Sequence, residues 1–324
     1  MHMSDGLIST PVAAVAAAGA AVLIAVAAAK VKKSTRSDLV PLTGVLGAFV
    51  FAAQMVNFAI PGTGSSGHII GGVLLAAFLG PWAAFLALTA VLVIQCLVFA
   101  DGGLLALGCN ILNMAATSCL VAYPLVFRPV AGRSPSAPRI MAASVAACVV
   151  ALELGALLVS AETELSGVTA LSTARFLMLM TVIHLAIGMC EGLATGVVLG
   201  FVHRTRPALL YTATEEGEEP ARKVHWRAVA VIALAAIVVG GGLSLAASSS
   251  PDGLEWSIEK ITGSTEVVPQ SAVAAAAGSL QEATAAMPDY NSTLAGIIGA
   301  AMVMLTLWGV CAMISTRSRK VKQM

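Results

Sequence analysis

"HIIGGVLLAAFLGP", residues 68–81, is an apolar run too short for an ordinary membrane span, and whether it crosses decides the topology of the whole chain. A hydrocarbon core of about 30 Å takes roughly 20 helical residues. Runs of that order lie near 10–29, 39–60, 82–99, 104–127, 138–160, 173–202, 227–247 and 292–315, and Gly80-Pro81 separates the short run from the one that follows. If 68–79 crosses, extended by the preceding loop, the chain has about nine spans, an N-terminus outside and a C-terminus in the cytoplasm. Sixteen of the eighteen Lys and Arg then face the cytoplasm, as the positive-inside rule requires. Without that crossing, Lys30–Arg36 and the loop at 128–139 fall on opposite sides. The segment is therefore read as crossing or deeply inserted.

Composition agrees. Of 324 residues 58% are hydrophobic and only 11% charged, where soluble domains run near a quarter charged. The expected fold is all-α, a polytopic membrane protein in the lipid bilayer. No basic patch with interleaved aromatics exists, which excludes nucleic acid as a partner. The six cysteines (Cys96, Cys109, Cys119, Cys148, Cys190 and Cys311) all fall in apolar stretches without a C-x-x-C pair. They read as small buried hydrophobes rather than as a disulfide framework or thiolate metal site.

The polar stretch Arg204–Arg227, containing "TEEGEEPARK", divides the chain. It predicts a seven-span unit over 1–210, a cytoplasmic linker over 211–226 and a two-span unit over 227–324. In the second unit two helices flank an outer segment, 248–291, that opens with "SSSPDGLEWSIEK". Such a length is uncommon for a connection without function.

The chain opens "MHMSDGL" with no Lys or Arg before Lys30, unlike a secretory leader. Met1, His2 and Asp5 are accordingly expected on the outer face, with the first helix as an uncleaved anchor. Met1-His2 offers three nitrogens in one plane. The α-amine and the His2 backbone nitrogen close a five-membered ring on a metal, and that nitrogen with imidazole Nδ1 closes a six-membered one. Tetragonal nitrogen ligation suits Ni(II) or Cu(II) and not hard cations. One in-plane position is left, and His68, in the Gly-rich "PGTGSSGHIIGG" on the same side, is its candidate. The plainer alternative makes Met1 only a start and His68 a polar residue at the membrane interface.

These stretches, with "GSSGHIIGG", "DGGLLALGCNILNM" (101–114) and "HLAIGMCEGLATG" (184–196), resemble the successive motifs of the CbiM/NikM substrate-specificity components of energy-coupling factor transporters. "PDGLEW" (251–256) resembles the small CbiN/NikN subunit, so the chain looks like a fusion of the two. The resemblance implies a prokaryotic plasma-membrane location and Co(II) or Ni(II) as transported substrate, with no cofactor. It implies as ligands the Met1 amine, the His2 backbone nitrogen and imidazole, and His68. It also implies a membrane coupling subunit of CbiQ/NikQ type and cytoplasmic ATPases of CbiO/NikO type. Met3-Ser4 departs from the family's usual residues without touching a donor atom.

Other polar residues have supporting roles or bland ones. Asp5 and Asp101 are outer-face carboxylates, Asp101 either contacting the site or marking the interface. Asn110 and Asn113, three apart, share a helix face and either orient the site or join helices. His184 and Glu191, two turns apart within a span, are costly there and candidates for support. Glu153 is a lone acid. Asp252 and Glu255 either reach the site or cap their own loop.

Two other function classes compete. "GSSG" with His184 in a later span fits a rhomboid-like intramembrane serine protease with Ser66 as nucleophile. A self-sufficient ion-coupled carrier would need more paired intramembrane charges than this chain has. The preferred reading is a transport subunit and not an enzyme, because no G-x-x-x-x-G-K-[ST] loop occurs and ATP hydrolysis falls to partners. Cobalt and nickel are not distinguished. Neighbouring genes for cobalamin synthesis would argue the first, and for urease or hydrogenase the second.

Overall fold

The computed structural model describes residues 1–33, 39–132, 135–211, 226–290 and 294–321. The expected linker lies outside these residues except at its ends, as do Arg36, Arg133, Arg222, Lys223 and Lys322. The N-terminal segment makes one 3-10 turn, Asp5–Leu7, and leads into α1 (Thr10–Lys33). Next come α2 (Leu39–Gln54), a hairpin of β1 (Phe58–Ile60) and β2 (Ser65–Gly67), α3 (Gly72–Leu79) and α4 (Pro81–Phe99). Three long helices follow, α5 (Leu107–Ala131), α6 (Ala137–Ser166) and α7 (Thr173–Thr205). The last part comprises α8 (Trp226–Gly241), two short helices α9 (Gly253–Thr262) and α10 (Ala272–Thr284), and α11 (Ala295–Val321). The chain is an all-α polytopic membrane protein. Among the described residues seven helices are long and apolar enough to cross a membrane.

Two expected spans are shorter than the apolar runs suggested. The run at 39–60 stops being helical at Gln54, and its end turns into β1, antiparallel to β2 with Phe58 opposite Gly67. In the run at 68–79 only Gly72–Leu79 is helical, about 12 Å at 1.5 Å per residue. The non-helical residues 68–71 add to that length. At one end of this segment His68 stacks on His2. At the other, Gly80 lies against Tyr211, and Lys30 reaches the ring of Trp82 at 6.0 Å. The segment thus carries the chain from one end of the bundle to the other. Gly80 reverses it with φ 80° and ψ 164°, a conformation only glycine adopts easily, and Pro81 starts α4 with its fixed φ.

All eight residues of α3 are buried, packed against α2, α4, α5, α6 and α7. That explains why the run has no polar face. Helices α8 and α11 pack on α2. Close approach there depends on small residues: a Cβ on Gly44 would stand 2.2 Å from the Trp308 ring, and one on Gly296 2.2 Å from the Gly240 carbonyl oxygen. Trp308 Nε1 donates to the Pro41 carbonyl at 3.2 Å.

Candidate metal site

The N-terminal segment is threaded into the end of the bundle and held by its backbone. Met3 N–H donates to Asn110 Oδ1 at 2.7 Å, and Asn110 Nδ2 donates back to the Met3 carbonyl at 3.1 Å. Gly103 N–H also donates to that carbonyl, at 2.9 Å. Asp5, buried beside Gly103, accepts from Ala106 N–H at 3.0 Å, and burial pushes its carboxyl above the usual range. The Met1 side chain fills a slot floored by Gly155, where a Cβ would come within 2.7 Å of both the Met1 methyl and the Asn113 carbonyl oxygen.

This anchoring brings His2 to His68. The two rings stack with centroids 5.3 Å apart and planes 22° from parallel. His68 Nδ1 is 3.0 Å from the Ile69 carbonyl. With its proton on Nδ1, the ring presents Nε2 as donor to a metal. His2 Nδ1 pairs with Asp101 Oδ1 at 3.1 Å, and Asp101 Oδ2 accepts from the Tyr290 hydroxyl at 2.6 Å. His2 Nε2 is buried with no partner among the described residues. The Met1 ammonium forms an ion pair with Asp252 Oδ2.

The electrostatics favour neutral imidazoles. Burial lowers the pKa of His2 against the opposing pull of Asp101. Burial, with the Met1 ammonium and His2 adding to it, lowers His68 to about 4. A neutral ring is the form that binds metal. Burial alone would raise Asp252, but the adjacent ammonium holds it well below the usual carboxylate range. Glu255 is raised by burial and by Asp252. His2, Asp5, His68, Asp101, Asp252 and Glu255 all line one open cavity of about 1110 Å³.

The segment that follows α8 forms one wall. Ser66 N–H donates to the Pro251 carbonyl at 2.8 Å and Ser66 Oγ to the Ser250 carbonyl at 2.7 Å. Trp256 Nε1 donates to the Thr63 carbonyl at 3.0 Å. On the other flank, Gln281 Nε2 donates to the Gly102 carbonyl at 2.6 Å. Both readings of Asp252 hold. Its Oδ1 accepts from the N–H groups of Leu254 and Glu255, and Glu255 returns the bond to Asp252 N–H, a capping box at the start of α9.

The remaining sequence candidates separate. Glu191 accepts from Ile70 N–H at 2.8 Å and Gly71 N–H at 2.9 Å, directly beneath the His68 loop. His184 Nδ1 lies 2.7 Å from the Met180 carbonyl of its own helix, and its ring backs onto Gly253. Asn113, although it shares a helix with Asn110, turns to α6 and donates to Glu162 at 2.6 Å, the helix-joining role. Glu153 Oε1 is buried without a partner among the described residues. The protease pairing does not form, since Ser66 Oγ bonds to backbone carbonyls and His184 Nε2 has no hydrogen-bond partner among the described residues. Sequence reasoning missed Gln54 and Gln95. Their signal was an amide inside an apolar run, which must find a partner.

The sequence profile described as "Cobalt uptake substrate-specific transmembrane region", CbiM, matches residues 2–209. The chain belongs to the CbiM family. A second profile, the PDGLE domain, matches residues 226–316 of this CbiM-family chain. The fused nickel transport protein NikMN of Rhodobacter capsulatus is 29% identical over 340 aligned residues, covering 97% of this chain and 95% of that protein. The cobalt transport protein CbiM of Geobacter sulfurreducens is 30% identical over 274 residues, covering 81% of this chain and 77% of that one. A crystal structure described as a truncated transition metal transporter superposes with TM-score 0.55 at 32% identity, covering 63% of this chain and 99% of the other. As a member of the CbiM family, the chain is a multi-pass membrane component of metal transport.

Proposed function

We propose that the chain captures Co(II) or Ni(II) from outside as the substrate-binding component of an ATP-driven importer of energy-coupling factor type. The donors are the Met1 amine, the His2 backbone nitrogen and imidazole, and His68. The carrying observation is convergence: two stacked imidazoles 5.3 Å apart line one cavity with carboxylates, and one of these, Asp252, is ion-paired to the N-terminal amine. Residues 1–210 form the metal-binding unit and 227–324 an appended unit whose PDGLE segment lines the site, joined by the 211–226 linker. Delivery inward requires a membrane coupling protein of CbiQ/NikQ type and cytoplasmic ATPases of CbiO/NikO type.

The local chemistry follows from the pairings. The amine and the His2 amide each lose a proton when the metal binds. The amine leaves Asp252, and the His2 ring leaves Asp101 with its proton passing from Nδ1 to Nε2, which frees Nδ1 to bind, so both carboxylates remain beside the complex as counter-charges. The three N-terminal nitrogens then lie in one plane, and His68 enters the fourth position.

The test is a single Gly placed before Met1, which moves the amine and breaks the five-membered ring, alongside His2→Ala and His68→Ala. All three variants are expected in the membrane at parental levels with stoichiometric Ni(II) or Co(II) binding lost or greatly weakened. Stoichiometric metal retained by the extended protein would overturn the chelate. So would N-terminal sequencing that finds Met1 and His2 removed from the mature chain.

A further inference from the structure

The His68 loop is clamped from below by two buried side chains from different helices, and a third, from another helix, braces one of them. Ile70 is held at both of its backbone groups. Its N–H donates to Glu191 Oε2 of α7 at 2.8 Å, and its carbonyl accepts from Gln54 Nε2 of α2 at 2.7 Å. The second oxygen of Glu191 takes Gly71 N–H at 2.9 Å. Gln54 Oε1 in turn accepts from Gln95 Nε2 of α4 at 2.7 Å. Gln54, Gln95 and Glu191 are 4%, 1% and 1% exposed, so water does not compete for these bonds. Gly71 sits in the left-handed region at φ 79°, and a Cβ there would press to 2.6 Å from Val50, which fixes the backbone three residues beyond His68.

We propose that Glu191, Gln54 and Gln95 are positioning residues that set the spacing between His68 and His2, and so determine that the site offers four in-plane nitrogens rather than three. The inference rests on the chelate described above and adds what makes its fourth donor dependable. Met1 and His2 are held by other groups, Asn110 and the Met3 backbone. Gln54 and Glu191, the two residues that bond directly to the clamped loop, hold Ile70 and Gly71 and not the N-terminal segment. Without the clamp the N-terminal three-nitrogen chelate survives, the fourth position passes to water, and the site loses its preference for ions that take tetragonal nitrogen ligation over zinc, which prefers a tetrahedron.

The experiment uses the full chain in detergent loaded with Cu(II) as a spectroscopic probe, reading the nitrogen hyperfine splitting in the EPR spectrum, with Ni(II) and Zn(II) affinities measured in parallel. The parent is expected to show four equatorial nitrogens. Glu191→Ala and Gln54→Leu are expected to show three, a Ni(II) affinity lower by about 10–100-fold, and a smaller ratio of Ni(II) to Zn(II) affinity. Three retained nitrogens report an intact N-terminal chelate and therefore a folded site, which general destabilisation would not produce. Should Glu191→Ala fail to insert, Gln54→Leu decides alone. Four nitrogens at parental affinity in the variants overturn the clamp while leaving the chelate standing. Fewer than four in the parent overturn the chelate and this inference with it.

Discussion

Met1 and Asp252 stand 251 positions apart in the chain and form an ion pair at the end of the bundle. The same carboxylate caps α9 with its other oxygen. One side chain thus joins the proposed metal donor of the first unit to the folded start of the PDGLE segment in the second.

Asp252 is therefore expected to show two separable effects. Asp252→Ala removes cap and charge together, and loss of an N-cap costs about 1 kcal/mol. Asp252→Asn keeps a capping oxygen and loses only the charge. Hydrogen exchange at the Leu254 and Glu255 amides should accelerate in the Ala variant and stay near parental in the Asn variant, while Ni(II) affinity falls in both. Unchanged exchange in Asp252→Ala would contradict the cap, and unchanged affinity in Asp252→Asn would deny the charge a part in binding.

Gly155 should be intolerant of any side chain. Its Cβ position lies 2.7 Å from the Asn113 carbonyl oxygen, a backbone atom that cannot swing aside. Gly155→Ala is expected to push α6 from α5 and dislodge the Met1 side chain, and overpacking of this kind costs about 1–3 kcal/mol. Thermal unfolding and metal titration of the same sample measure the two consequences. A variant with parental stability and parental affinity would show that the slot does not seat Met1.

Ser66→Ala separates a structural serine from a nucleophile. The hydroxyl donates to the Ser250 carbonyl, so its removal should loosen the PDGLE segment by about 1 kcal/mol and leave metal uptake largely intact. Loss of cleavage of a membrane substrate on the same substitution would favour the protease.

Severing the chain near Thr214 and co-expressing the halves should preserve uptake in cells that also supply the partner proteins. The break avoids the described contacts by which α8 and α11 pack on α2, and these are available to separate chains. Uptake lost with both halves present at normal levels would count against two units. Purified alone, the chain should bind metal without hydrolysing ATP, and a phosphate-release assay reads this directly.

Much of this protein was legible in the sequence. Low charge and long apolar runs dictate a bundle of membrane helices, because only internally bonded backbone survives in lipid. Donor spacing makes Met1-His2 a candidate chelate, and the distribution of Lys and Arg predicts His68 on the same side as His2, whose ring it meets. What only the tertiary structure decided is which polar residue serves which element. Asn110 and Asn113 read alike on one helix face, yet one grips Met3 of the N-terminal segment and the other Glu162 of α6. Gln54 and Glu191 find Ile70, and Gln95 finds Gln54, only after α2, α4 and α7 have packed. Local pattern fixes helices because their hydrogen bonds are local. The site is assembled from contacts between separate elements, His2 with His68 and Asp101 and Met1 with Asp252, and those depend on packing that no short stretch encodes.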